Sequence, residues 1–62
     1  MTLVYFEGGQ RSGQVENYDP APDPDRPIVF DGPEWIGVYQ RSDPLHVVRT
    51  KDGTAEVWHS LS

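Results

Sequence analysis

The chain contains no cysteine, and only two of its 62 residues are histidine. Disulfide bonds and cysteine-based zinc sites are therefore excluded, and two histidines cannot complete a four-ligand metal site. A chain of this length buries only about 60 % of its unfolded surface, so it forms at most one domain of marginal stability. Because such domains are usually reinforced by a disulfide, a metal or a partner, a partner chain is the natural candidate here.

Basic residues are also few, since five Lys and Arg stand against ten Asp and Glu and give a formal net charge of −5. Phosphate backbones and anionic membranes repel such a surface, so we expect neither a nucleic-acid nor a membrane partner. The charge favours a basic protein partner instead. No apolar run approaches the ~20 residues of a membrane span, and no basic segment precedes an apolar run at the start. We therefore expect a soluble protein made in a cytoplasm.

No segment repeats its apolar residues with a helical period. Short runs of β-branched and aromatic residues, separated by Gly, Pro, Asp and Ser, instead predict strands. The sequence thus predicts a single all-β domain over residues 1–62. Its five or six strands would form a small antiparallel meander, either an SH3-like barrel or an open curled sheet. The predicted core consists of Val4, Phe6, Val15, Ile28, Phe30, Ile36, Val38, Val48 and Val57.

Two segments are rich in turn residues. Gly8–Gly13 has three glycines in six residues, which predicts positive φ angles or a close backbone approach in the loop of a first hairpin. It lacks the Lys-Ser/Thr and the helix of a phosphate-binding loop. Asp19–Pro27 has four prolines in nine residues and should be extended. This segment is either a connector crossing the domain or an arm lying on a neighbouring molecule.

The final hairpin admits two registers around Lys51-Asp52-Gly53. A two-residue turn at Asp52-Gly53 would place His46 opposite His59. A three-residue loop, with Gly53 in a left-handed bulge position, would place His46 opposite Trp58, and the sequence slightly favours it. Gly37 is expected to mark a bulge or bend in the preceding strand.

The chemistry-bearing residues form no catalytic motif. There is no nucleophile elbow, a chain of 62 residues scarcely forms a cleft for paired carboxylates, and prolines interrupt the acids of residues 19–25 that a calcium loop would need. The two histidines have no third ligand nearby in the sequence. We therefore predict a protein that is not an enzyme and that has no catalytic residues, no metal and no cofactor.

The aromatic residues outnumber what so small a core can hide, and Tyr and Trp are common anchors of protein interfaces. The alternative is that Trp35 and Trp58 cap the two ends of a barrel. Unpaired strand edges at Thr2–Phe6 or Ala55–Leu61 would offer a second means of contact. The predicted protein-interface residues are Tyr5, Tyr18, Pro22, Pro24, Trp35, Tyr39 and Trp58.

Residues 4–15, Val-Tyr-Phe-Glu-Gly-Gly-Gln-Arg-Ser-Gly-Gln-Val, resemble the opening of small β-rich proteins of actinobacterial phages. In those proteins an aromatic strand is followed by Gly-Gly-Pro-x-x-Gly, a second strand, a proline-rich middle and a terminal Asp-Gly hairpin with a Tyr. This chain has Gln10 where proline is common, and Trp58 in place of the Tyr. The resemblance implies a virion structural protein or a small host-directed factor, and it carries no catalytic residue.

Two functions follow from these expectations. The first is a phage structural accessory, a minor capsid or decoration protein found in the virion and made in the host cytoplasm. Its partners would be the major capsid protein, copies of itself, or both. The alternative is a small acidic inhibitor or regulator that binds a host protein.

Overall fold

The computed structural model describes residues 1–61, and within that range it contains six β-strands and no helix. The all-β prediction with five or six strands is therefore confirmed. The segments rich in β-branched and aromatic residues form the strands, and the Gly- and Pro-rich segments separate them. The strands are β1 (Thr2–Glu7), β2 (Val15–Tyr18), β3 (Ile28–Asp31), β4 (Ile36–Arg41), β5 (Val47–Thr50) and β6 (Gly53–Ser60).

All six strands belong to one curled, open sheet that forms a half-barrel, which was one of the two predicted architectures. Along the sheet the order is β2-β1-β6-β4-β3, and β5 pairs with β6 beside this path. The connectivity is not that of an antiparallel meander, because β1 and β6 are parallel neighbours, with Tyr5 opposite Val57. The predicted free edges at Thr2–Phe6 and Ala55–Leu61 are wrong for the same reason: these two segments pair with each other in the middle of the sheet.

Strands β4 and β5 share one side of β6 and run in the same direction along it. Arg41 lies opposite Trp58, whereas Val47 lies opposite Glu56. Between these pairs Val57 bonds both segments: its carbonyl accepts from the Ser42 amide at 3.0 Å, and its amide donates to the His46 carbonyl at 2.9 Å. The two strands are therefore one path along β6, interrupted where residues 43–45 leave the sheet.

The final hairpin follows neither predicted register. Thr50 lies opposite Gly53, so the connection is the two residues Lys51 and Asp52. The Thr50 hydroxyl donates to the Gly53 carbonyl at 2.7 Å and accepts from the Asp52 amide at 3.2 Å, which holds this turn. Gly53 has a φ of 127°, so its predicted positive φ is confirmed although its predicted pairing is not.

The inner face of the half-barrel carries the main core. Phe6 and Tyr39 make an edge-to-face contact with ring centroids 4.8 Å apart, and Phe6 and Phe30 make another at 5.4 Å. Full burial of such side chains stabilises the fold by about 1.5–3 kcal/mol each. The fully buried residues of this cluster are Val4, Phe6, Tyr39 and Trp58, and the partly buried residues packed on them are Tyr18, Ile28 and Phe30.

The predicted core is correct in part. Val4, Phe6 and Val57 are buried, but Ile36 is 67 % exposed because it lies on the opposite face from the main core. The other five predicted core residues are partly buried: Val15, Ile28, Phe30, Val38 and Val48. The sequence analysis missed the buried side chains Tyr39, Ala55 and Trp58.

Candidate protein-binding surface

The outer face of the sheet is defined by register. Tyr5 is opposite Val15 on β2 and Val57 on β6, and Val29 is opposite Val38. Because alternate residues of a strand share a face, one set of side chains points away from the main core. We call the partly or well exposed apolar members of this set the outer apolar face: Leu3, Tyr5, Val15, Val29, Ile36, Val38 and Val48.

The middle of the outer apolar face is tightly packed and its margin is polar. Ala55 and Val57 point outward from central strand β6 but are buried beneath their neighbours on adjacent strands. At the margin His59 Nδ1 lies 2.9 Å from Glu7 Oε1. A single-layer sheet normally presents polar side chains to water on its outer face. An apolar surface with a polar rim instead marks an interaction site.

The β3–β4 hairpin contributes the most exposed part of this surface. Val29 is 56 % and Ile36 67 % exposed on the outer side. On the inner side the partly exposed Trp35 indole lies 5.9 Å from the Phe30 ring. Gly37 makes room for the indole, because a Cβ atom there would come within 1.9 Å of Trp35 Cζ3. Gly37 pairs in register with Phe30, so it accommodates a ring and is not the predicted bulge.

The inner face is closed at one end by the loop between β1 and β2. The Tyr39 hydroxyl donates to the Gly8 carbonyl at 2.6 Å and accepts from the Arg11 amide at 3.1 Å. The Arg11 guanidinium lies 4.4 Å from the Phe30 centroid and 4.9 Å from that of Phe6, and it pairs with Glu16 at 2.6 Å. Gly8, Gly9 and Gly13 have positive φ, as the glycine spacing predicted. The loop therefore covers the main core and leaves the outer face open.

The proline-rich segment 19–27 joins β2 to β3, which are the two ends of the sheet order. The segment therefore connects the two ends of the sheet. Pro22 is partly buried and Pro24 is exposed. Pro24 also lines a surface cavity of about 400 Å³ together with Gln40 and Arg41 of β4.

Tyr18 lies on the inner side, on edge strand β2. Partial burial, and next the negative charge of Glu16, raise the pKa of its phenol above the ordinary value, and Arg11 acts in the opposite direction. The neutral phenol is therefore the form that suits this position.

The predicted interface residues separate into two groups. Tyr5 lies on the outer apolar face, Trp35 lies partly exposed on the inner side of the β3–β4 hairpin, and Tyr18, Pro22 and Pro24 also keep exposed area. Tyr39 and Trp58 are wholly buried in the main core, so their prediction as exposed anchors is wrong. The Trp58 indole donates to Glu56 Oε1 at 3.0 Å, which satisfies its polar atom inside the domain. A small core can hold two large rings here because the curled sheet wraps around them.

The sequence did not identify Val29, Ile36 and Leu3 as residues of the exposed surface. A signal was present, since Ile28-Val29-Phe30 is a run of consecutive apolar residues. Such a run has apolar side chains on both faces of its strand. Only Ile28 and Phe30 of this run belong to the predicted core, and Val29 between them lies on the other face of the single-layer sheet.

The histidines do not meet across the final hairpin. His46 bonds to Val57, while His59 lies opposite Gln40 and Glu7. Within residues 1–61 no three His, Asp or Glu side chains are grouped as a metal ion would require. Nor does that range contain a helix long and apolar enough to cross a membrane. Comparison with protein-family models, curated proteins and solved structures finds no match to the chain.

Proposed function

We propose that this protein acts by binding another protein through its outer apolar face and that it catalyses no reaction. The observation that carries the proposal is the two-sided apolar character of a single-layer sheet. A loop closes one end of the inner face, whereas the outer face keeps Val29 and Ile36 more than half exposed. Covering those side chains would stabilise a complex by about 25 cal/mol for each Å² of apolar surface removed from water.

The partner that we propose is the outer surface of a phage capsid, with this chain as a minor capsid or decoration protein of the virion. The resemblance of residues 4–15 to small phage proteins supports this choice. An exposed sheet face without a deep pocket also suits repeated attachment to a shell. The major capsid protein would be the main contact, and neighbouring copies of this chain would be a second one.

A second candidate is a regulator that binds a basic site on a host protein. Acidic residues near β3 favour it, since Asp25, Asp31 and Glu34 are exposed and Asp23 pairs with Arg26 at 3.9 Å. The arginines elsewhere on the chain weaken it as a mimic of a phosphate backbone.

The test is to purify particles of the phage that encodes this chain and to measure its copy number in them. We expect a fixed stoichiometry to the major capsid protein. We also expect the purified chain to rebind particles that lack it. The V29T/I36T double variant keeps β-branched side chains but loses apolar surface, so it should rebind at least about tenfold more weakly.

The matched control is V47T, because Val47 is 57 % exposed but points to the other face, opposite Glu56. Rebinding of V47T should equal that of the unchanged chain. Absence of the chain from purified particles would end the capsid proposal. A single stoichiometric host protein bound to it in infected cells would then support the regulator. If V29T/I36T and V47T weakened rebinding to the particles equally, the outer apolar face would not be the binding surface.

A further inference from the structure

Strand β3 is an edge of the sheet. It pairs with β4 on one side, and no other strand of residues 1–61 pairs with its second side. The Gly32 amide donates to the Trp35 carbonyl at 3.1 Å, which makes this a hydrogen-bonded pair. Bonded and non-bonded pairs alternate along an antiparallel ladder. Phe30 and Ile28 therefore bond to β4, and the backbone groups of Val29 and Asp31 point outward from the sheet.

The edge is flanked by apolar side chains on both faces. Val29 and Ile36 lie on the outer side, while Phe30 and Trp35 lie on the inner side. A strand added to this edge would place its alternate side chains against one apolar pair and then the other. The side chains on both faces of the added strand would therefore contact apolar residues of this chain.

The charges around the same edge are negative. Residues 23–34 contain four acids and one base, and that base, Arg26, already pairs with Asp23. Asp31 stands on the edge strand itself and Glu34 in the turn beside it. A second copy that paired through its own β3 edge would bring the same acids to that edge, where like charges repel. Charge complementarity therefore selects a basic segment.

The other two edges lack this combination. Strand β2 has Val15 and Tyr18 on its two faces, but its acid Glu16 already pairs with Arg11. Strand β5 carries Arg49 and is followed by Lys51, so its edge is basic. Within residues 1–61, the β3 edge combines outward backbone groups and apolar surface on both faces with the acids Asp31 and Glu34.

We propose that the β3 edge binds an extended segment of the partner protein by strand addition, and that this segment alternates apolar residues with Lys or Arg. The inference rests on the proposed function, because it names the chemistry of the partner at the margin of the same surface. The backbone groups of Val29 and Asp31 supply the pairing, and Asp31 and Glu34 select the basic side chains.

The probe is a capped Lys-Val-Lys-Val-Lys-Val-Lys peptide, with the same peptide carrying Glu for Lys as its counterpart. Amide hydrogen exchange and amide chemical shifts are measured by NMR on the whole chain. We expect the basic peptide to protect the Val29 and Asp31 amides and to leave the Val47 and Arg49 amides unprotected. The acidic peptide should protect neither pair.

Two variants separate the backbone from the charges. V29P removes an outward amide, a change that edge strands tolerate, and should weaken peptide binding about tenfold or more. V47P is its control, since it makes the same change on edge strand β5 at a valine of nearly equal exposure. D31N/E34Q keeps the backbone intact and should weaken binding and flatten its salt dependence, so it stands in if V29P fails to fold.

Protection at β5, protection nowhere, equal affinity of the acidic peptide, or unchanged binding by D31N/E34Q would each overturn the inference. The proposed function fails separately from it. If V29P rebinds capsid particles as well as V47P does, strand addition is wrong and docking by the outer apolar face still stands. If the chain is absent from particles but the peptide protects Val29 and Asp31, the capsid proposal is wrong and the edge site stands.

Discussion

The contact between Gly37 and Trp35 shows how one residue determines where an aromatic surface lies. Gly37 is not among the glycines with positive φ, so its backbone does not require glycine. Its constraint is the Trp35 indole, which occupies the space that a Cβ atom would take. The indole is thereby held beside Phe30, at the inner side of the β3 edge.

Gly37→Ala should displace the indole and destabilise the domain by about 1–3 kcal/mol, the usual range for overpacking. Urea denaturation gives the loss, and tryptophan fluorescence reports the greater exposure of Trp35. Gly32→Ala is the matched control in the same hairpin, because a Cβ there would meet only the Trp35 carbonyl at an ordinary 3.5 Å. In a chain that already carries Trp35→Ala, Gly37→Ala should leave the free energy of unfolding nearly unchanged. If the two substitutions instead lowered it additively, the contact between Gly37 and Trp35 would not be the cause.

Tyr18 connects a single phenol to the pH dependence of stability. Its pKa in the folded chain is raised above the ordinary 10.0, mainly by burial. Above pH 10.0 the folded state therefore keeps a proton that the unfolded state has lost, so the free energy of unfolding falls as pH rises. The stabilisation is fully present below pH 10.0 and is lost as the pH passes through the raised value.

Denaturant unfolding of the unchanged chain and of Tyr18→Phe, measured from pH 9 to above pH 11 in steps, tests this effect. Other groups that titrate there are common to both chains, so the difference between the two curves isolates Tyr18. We expect the unchanged chain to lose stability more steeply above pH 10.0. If stability fell with pH equally in the two chains, the Tyr18 phenol would have the same pKa in the folded and the unfolded state.

At the scale of elements, β4 and β5 pair one after the other with the same side of β6, and residues 43–45 leave the sheet between them. Ser42 is buried at this break, and its hydroxyl accepts from the His46 amide at 2.8 Å. That bond holds the two sides of the excursion at residues 43–45 together. The hydroxyl also satisfies an amide that the ladder cannot reach at this position.

Ser42→Ala should lower the free energy of unfolding by about 1–3 kcal/mol, because it leaves the His46 amide without this acceptor. Ser12→Ala is the control, since it makes the same chemical change at an exposed position of the first loop. Thermal or urea denaturation measures both variants. Equal stability of the two would show that water replaces the Ser42 hydroxyl at no cost.

At the scale of the whole molecule, the arrangement of strands explains why one face stays open. The two ends of the chain meet as the parallel pair β1–β6 in the centre of the sheet. The short strands β2 and β3 are thereby left at the ends of the order, and segment 19–27 connects them. The first loop closes one end of the inner face, and Val29 and Ile36 on the outer apolar face remain more than half exposed.

The candidate surface was predictable only in part. Tyr5 and Trp35 were predicted as interface residues because aromatic residues exceeded the expected core, and both side chains keep exposed area. The same reasoning failed for Tyr39 and Trp58, because aromatic composition does not say which face a side chain occupies. Ile36 was assigned to the core, and Val29 was not identified as a surface residue, because an apolar strand residue has the same sequence pattern on a covered and on an uncovered face.

The sequence by itself determined the local structure of this protein: strands without helices, a glycine loop with positive φ, and a final hairpin near Gly53. These features depend on residues a few positions apart, so periodicity and turn chemistry reveal them. Only the tertiary structure decided which strand is central, which face is open and which edge is free. Those outcomes depend on the pairing of Leu3 with Ala55, residues from opposite ends of the chain, which no local pattern records.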